Sequence, residues 1–229
     1  PAPFTGVNRP FSLACAEFEF AFTGKAAHAS SSPELGRSAL DAVELMHIGI
    51  NYLREHMSST SRIHYAIVDA GGAAPNVVQA HAVSRQMIRA ESLEEMWQLV
   101  ERVSDIARGA ALMTGTTMAL RQVGGDANLV ANDVLESAMF EVISALGAPP
   151  FDESDETAAA AFTQTFSDQD VQAAAYRFGF GVIEGEWLSR RIFPLGAGSS
   201  FAVGSTDVGT VSWVAPTVQC RVACYAVGT

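Results

Sequence analysis

With 229 residues, 48% of them apolar, and a mean hydropathy of +0.17, the chain holds enough hydrophobic material for one large core or two smaller ones, which excludes an intrinsically disordered protein. Asp and Glu outnumber Lys and Arg by 25 to 14, giving a net charge of −11 and a pI near 4.8; such a surface repels phosphate backbones, so nucleic acid is not an expected partner. No apolar run reaches the ~18 residues that a membrane-spanning helix needs, and the first residues lack the basic-then-apolar order of a signal peptide, so the expectation is a cytoplasmic chain without a membrane partner.

In chain order, AEFEFAF at 16–22 alternates strictly, with Phe18, Phe20 and Phe22 on one face and Glu17 and Glu19 on the other. That period predicts a half-buried strand. The stretch GKAAHASSSPELGRSALDAVEL at 24–45 sets His28 in a run of small residues ahead of a helix start. Ser38 is the expected N-cap with Asp41 three residues on, and Leu40, Val43, Met46, Ile50 and Leu53 recur at helical steps. His47 and His56, beside Glu44 and Glu55, read as solvated groups on that helix.

Two strands are expected around His64 to Asp69 and Ala82 to Ala90, separated by the turn-rich DAGGAAPNVVQ. A second helix opens at Ser92, with Glu95 in the capping-box place and Met96, Leu99, Val103, Ile106, Ala110 and Met113 at helical spacing. A strand near Thr117 to Val123 then precedes Gly124-Gly125. The order β-α-β-β-α-β is the split βαβ (ferredoxin-like) arrangement: a four-stranded antiparallel sheet with two helices on one face, hence an α+β fold. Its second face and its edges are left bare, which predicts a dimer contact.

After Gly125 the character changes. Helical patterns cover Asn132 to Ala145 and Glu156 to Ala175, with an acidic turn PPFDESDE between them. The Gly- and Ser-rich FPLGAGSSFAVGSTDVGTVSW follows, and the last stretch, TVQCRVACYAVGT, is apolar and strand-like. One strand with no sheet to join makes this portion an incomplete α/β segment. Three cysteines are too few for a disulfide framework and fit a reducing compartment. Cys220 and Cys224 could share a strand face, but the expectation is buried thiols, since a pair alone does not make a zinc site.

Familiar catalytic signatures are absent: no GxGxxG after a strand, no Walker loop, no HExxH, no GxSxG and no CxxC. The five histidines are scattered, so no metal site is expected from this chain's residues. Three polar residues are placed for chemistry. His28 is either a turn hydrogen-bonder or a ring aimed off the sheet edge. Asn76, after Pro75, either satisfies its own backbone or bonds outward. Arg89, in an apolar strand, either snorkels or binds a carboxylate, because a guanidinium without a partner there is costly.

FTGKAAHASSSPELGRSALDAVEL, GGAAPNVVQA and GSTDVGTVSW with PTVQC together resemble the M20 family of metallopeptidases and amidohydrolases, and the similarity runs over nearly the whole chain. The resemblance implies a zinc-binding catalytic domain interrupted by a lid or dimerisation domain: residues 11–124 as the lid, residues 1–10 and 125–229 as parts of the catalytic domain. It implies a small-molecule substrate with an N-acyl or aminobenzoyl amino acid amide, such as p-aminobenzoyl-glutamate. His28 occupies the position of a lid histidine that stabilises the tetrahedral intermediate in the partner subunit, a contribution of ~3–4 kcal/mol for a well-aimed donor. By the same likeness Asn76, Arg89 and Asp207 become substrate-binding candidates, and the assembly becomes a homodimer through the lid or a pairing with a related subunit. Family members hold two divalent metal ions through residues that this sequence does not display, so the expectation is a fragment that binds no metal and is inactive alone. The alternative is a non-catalytic dimerisation or binding module derived from the family.

Overall fold

The computed structural model describes residues 2–7, 12–177, 181, 185–196 and 204–228. In chain order the elements are β1 (Thr5–Gly6), β2 (Ala14–Thr23), α1 (Ala39–Leu53), β3 (Arg62–Asp69), β4 (His81–Ala90), α2 (Leu93–Thr114), β5 (Thr117–Asp126), α3 (Asp133–Leu146), α4 (Glu153–Thr163), α5 (Asp168–Arg177), β6 (Ile192–Phe193) and α6 (Val208–Ser212). They fall into two compact units. One comprises Ser12–Asn128 with Gly204–Thr210; the other comprises Pro1–Phe11, Leu129–Val203 and Val211–Thr229.

In the first unit β2 lies between β4 and β5, and the antiparallel sheet has the order β3-β4-β2-β5. The alternation read from the sequence sets its register. Phe18, Phe20 and Phe22 share the inner face with Gln86, Ser84 and Ala82, their direct partners on β4. That face is sealed by Val43, Met46 and Ile50 of α1 and Met96, Leu99 and Val103 of α2. The mixed α+β class and the four-stranded sheet agree with expectation. On the outer face the Glu19 carboxylate accepts from Arg85 at 2.6 Å and Arg121 at 2.5 Å, and these two bonds hold its carboxyl below the ordinary range.

Both helices start where their caps predict. Ser38 Oγ accepts from the Asp41 N–H at 3.0 Å and Ser92 Oγ from the Glu95 N–H at 3.2 Å. The Glu95 carboxylate is turned to Ser61 Oγ, 2.7 Å away. Ser38→Ala is expected to cost about 1 kcal/mol, because one orphan helix donor loses its acceptor; a lowered urea midpoint at unchanged slope checks this.

His47 corrects the sequence reading. It is buried rather than solvated, with Nε2 2.7 Å from Ser84 Oγ and its ring stacked on Tyr65 at 3.7 Å between centroids. Gln86 Nε2 donates to the same Ser84 oxygen at 2.8 Å. Burial, with a smaller contribution from the Arg54 charge, lowers the imidazole to about 4. His56 lies beyond the helix, in the short 3-10 turn Arg54–His56.

The second unit departs further from the sequence reading. The pattern over Glu156 to Ala175 is two helices, α4 and α5, since Ser167 caps a new start by accepting from the Asp170 N–H at 3.2 Å. Much of the expected acidic turn is helix: Asp152 is the N-cap of α4 in a reciprocal capping box with Asp155. The apolar C-terminal stretch is not a strand. Its pairing with the N-terminal segment is limited, among the described residues, to isolated bridges, Ala2 with Ala223 and Gly6 with Arg221, and the Ala223 N–H donates to Thr5 Oγ1 at 3.0 Å, while β1 itself pairs in parallel with β6. A two-residue strand gives too short a ladder to extend. Cys220 and Cys224 are exposed rather than buried; Cys15 is the buried thiol, and burial pushes it up. Residues 197–203 of the Gly- and Ser-rich stretch, Pro1 and Thr229 lie outside the described residues. Among the described residues no helix is long and apolar enough to cross a membrane.

Candidate functional site

His28 sits in the loop between β2 and α1, and its position is fixed from both sides. Gly24 opens the loop where only glycine fits, because a Cβ there would lie 1.9 Å from the Arg37 carbonyl oxygen. Lys25 and Arg37 exchange backbone hydrogen bonds at 2.9 Å, closing the base of the loop. A second set of bonds sews it to the β3–β4 connection: Val78 N–H to Ala27 O and Ala29 N–H to Asn76 O, both 2.9 Å. His28 and Val77 form an antiparallel bridge between these two sets.

The imidazole is exposed, and its Nδ1 accepts from the backbone N–H groups of Ser30 at 3.3 Å and Ser31 at 3.2 Å, with Ser30 Oγ at 3.1 Å. Nδ1 is therefore an acceptor, and the neutral ring carries its proton on Nε2. Asn76, far away in sequence, is brought beside His28 by its own carbonyl, and its side chain is exposed. These two predicted residues share one end of the sheet.

Arg89 and Asp207 share the other end. Arg89 is the penultimate residue of β4, opposite Cys15 on β2 and Arg62 on β3, and its Nη2 lies 3.1 Å from Met87 Sδ. His81, at the start of β4, pairs with Thr23 beside the His28 loop. Eight residues at ~3.3 Å each separate the two ends by roughly 26 Å. Asp207 is exposed in the Gly204–Thr210 segment, which is stitched to the Arg89 end by Leu13 N–H to Gly204 O at 2.9 Å and Ala127 N–H to Thr210 Oγ1 at 3.1 Å. Gly209 permits this contact, since a Cβ there would lie 2.0 Å from the Ala127 carbonyl oxygen.

Among the described residues no three His, Cys, Asp or Glu side chains are grouped so as to hold a metal ion. The donor set does not fit the pair of divalent ions implied by the family resemblance, which needs several converging ligands per ion. Sequence reasoning did not anticipate the Ser30 and Ser31 amides as partners of His28. The signal was the SSS run, whose small side chains leave consecutive N–H groups open to a neighbouring acceptor.

Comparison with known proteins agrees with this architecture. The M20_dimer model, a peptidase dimerisation domain, matches residues 12–115. One of the p-aminobenzoyl-glutamate hydrolase subunits of Escherichia coli (strain K12) is 38% identical over 239 residues, covering 100% of this chain and 50% of that protein. The Xaa-Arg dipeptidase of Mus musculus is 35% identical over 127 residues, covering 55% of this chain and 29% of that one. The crystal structure of an aminobenzoyl-glutamate utilization protein from Klebsiella pneumoniae superposes with a TM-score of 0.52 at 22% identity, over 93% of this chain and 43% of that chain, and so shares the fold. The chain spans half the length of the first of these relatives and less than half of the others. The chain therefore carries an M20-type peptidase dimerisation domain over residues 12–115 and is similar along its whole length to a hydrolase subunit that bears the same kind of domain.

Proposed function

We propose that the chain is part of a metal-dependent amidohydrolase that cleaves the amide bond of an N-acyl or aminobenzoyl amino acid such as p-aminobenzoyl-glutamate. In this reading His28 serves the active site of a partner subunit. The observation that carries it is the division of the candidate residues between two ends of one sheet, His28 and Asn76 at one and Arg89 and Asp207 at the other. A small amide cannot touch both ends of a single chain's sheet. It can touch His28 of one subunit and Arg89 of the next.

Each group then has a role set by its chemistry. As the amide carbon becomes tetrahedral, its oxygen gains negative charge, and the Nε2–H of His28 is a donor aimed outward to meet it. The Arg89 guanidinium suits a substrate carboxylate, which it binds in two parallel hydrogen bonds. The Asn76 amide offers one donor group and one acceptor to the substrate's polar edge, and Asp207 is the acidic neighbour at the Arg89 end. Metal ions belong to this reading through the family, with ligands from residues other than those described.

The test is complementation in the intact protein. His28→Ala and Arg89→Ala subunits, each inactive toward p-aminobenzoyl-glutamate, regain release of p-aminobenzoate when mixed into hybrid dimers. No recovery in hybrids shown to form defeats the partner-subunit role, and no turnover by the intact wild-type protein leaves only the binding-module reading.

The dimer surface in this proposal is the β3 edge, joined to the same edge of a second copy. Edge strands present unpaired backbone groups, and this one also exposes Tyr65, Ile67 and Val68. Helix α1, whose His47 stacks on Tyr65, adds exposed Ile48 and Tyr52. Ile67→Lys is expected to weaken the dimer roughly tenfold or more, through the buried charge it would impose. Light scattering at two protein concentrations reads the outcome. The related hydrolase chain is itself a subunit, so a chain of a second kind is the alternative partner.

A further inference from the structure

We infer that the turn after His28 is a tautomer lock: the Ser30 and Ser31 amides hold Nδ1 as an acceptor, so the ring presents an N–H at Nε2 and its ligand is an oxygen acceptor rather than a metal ion. This deepens the role proposed for His28 and rests on that reading only for the identity of the oxygen as a reacting one. The geometry stands independently of it.

Three donors converge on one nitrogen, at 3.3 Å from Ser30 N, 3.2 Å from Ser31 N and 3.1 Å from Ser30 Oγ. A hydroxyl can turn and become an acceptor, but a backbone N–H cannot. A proton on Nδ1 would therefore face two fixed N–H groups. Nor can the turn relax away, because Ser32 N–H closes it onto His28 O at 3.1 Å, while Ala29 N–H and Val78 N–H hold the residues on either side of His28 at 2.9 Å.

The consequence is chemical selectivity. Coordination of a metal through Nε2 requires the ring proton to move to Nδ1, where the two amides oppose it. Coordination through Nδ1 requires a lone pair that is already engaged. What remains is donation from Nε2 to a carbonyl, an oxyanion or a carboxylate. Ser30 and Ser31 are thereby positioning residues, acting through the ring and not on the ligand. The function of the small residues after His28 is to leave those amides accessible.

Ring nitrogen NMR of the chain labelled with 15N-histidine tests this near neutral pH, with His28 assigned by the His28→Gln variant. The expected result is a pyridine-type Nδ1 and a pyrrole-type Nε2 without averaging, in contrast to exposed His56 and His64. Zinc chloride leaves the His28 pair in place. Ser30→Ala, which removes only the hydroxyl, keeps the tautomer, whereas Ser31→Pro, which removes one amide donor, moves both nitrogens toward the averaged positions. Averaged signals in the wild type, a pyrrole-type Nδ1, or displacement of Nε2 by zinc would overturn the lock. If Ser31→Pro does not fold, the wild-type spectrum and the zinc titration decide alone. Failure here is separable from failure of the proposed function, which is read from hydrolysis by His28 variants whatever the tautomer.

Discussion

Under the proposed function, replacing His28 by alanine in the intact protein is expected to lower kcat for amide hydrolysis about 10²–10³-fold while leaving KM within a few-fold, the pattern of a group that bonds the transition state and not the ground state. The reason lies in the direction of the ring. With Nδ1 engaged by the Ser30 and Ser31 amides, the donor on the exposed ring is Nε2, which makes no hydrogen bond among the described residues. His28→Gln retains an N–H donor at comparable reach and is expected to recover part of the loss, whereas His28→Phe retains the ring shape without the donor and is not. Steady-state kinetics of the three variants separates these cases. A fall confined to KM, or equal activity of the Phe and wild-type proteins, contradicts a donor role.

Acidification destabilises the sheet unit through His47. Burial, helped by Arg54, lowers its folded value to about 4 from an ordinary 6.5, so the native state prefers the neutral ring. The unfolded chain takes up the proton first. The contribution of His47 is therefore intact above pH 6.5, declines as pH falls from 6.5 toward 4, and reaches a loss of roughly 3 kcal/mol below that interval. Urea unfolding at pH 7.5 and pH 4.5, compared between wild type and His47→Gln, is the measurement. Glutamine can still reach Ser84 but has no titratable proton, so the variant loses less stability between the two pH values. Parallel pH dependence of the two proteins would show that His47 does not bind protons differently in the two states.

Much of the first unit was legible because its signals are local. Phe18, Phe20 and Phe22 alternate with Glu17 and Glu19 in any conformation, and a period of two selects a strand with one buried face. Ser38 and Ser92 mark helix starts because the acceptor and the orphan N–H lie within one turn of each other. Failures began where a partner had to be supplied. TVQCRVACYAVGT has strand composition, yet β1 offers it two residues, and only isolated bridges form. His47 has acidic neighbours along its helix, but its burial is decided by Ser84 and Tyr65 on β4 and β3. The expected burial of Cys220 and Cys224 failed for the same reason, since among the described residues both thiols are exposed and lie outside the two sheets.

The candidate site divides in the same way. By itself the sequence determined the split βαβ order, the helix caps, and the identity of His28, Asn76 and Arg89 as residues with chemistry to offer, because periodicity, capping and side-chain type are properties of neighbouring residues; Asp207 entered only through the family resemblance. Only the tertiary structure decided that His28 and Asn76 meet, that Arg89 and Asp207 stand at the opposite end of the sheet, and which ring nitrogen of His28 faces outward. Those outcomes depend on strand register and on backbone bonds between distant loops, and no local pattern encodes the distance between two residues that the fold alone brings together or keeps apart.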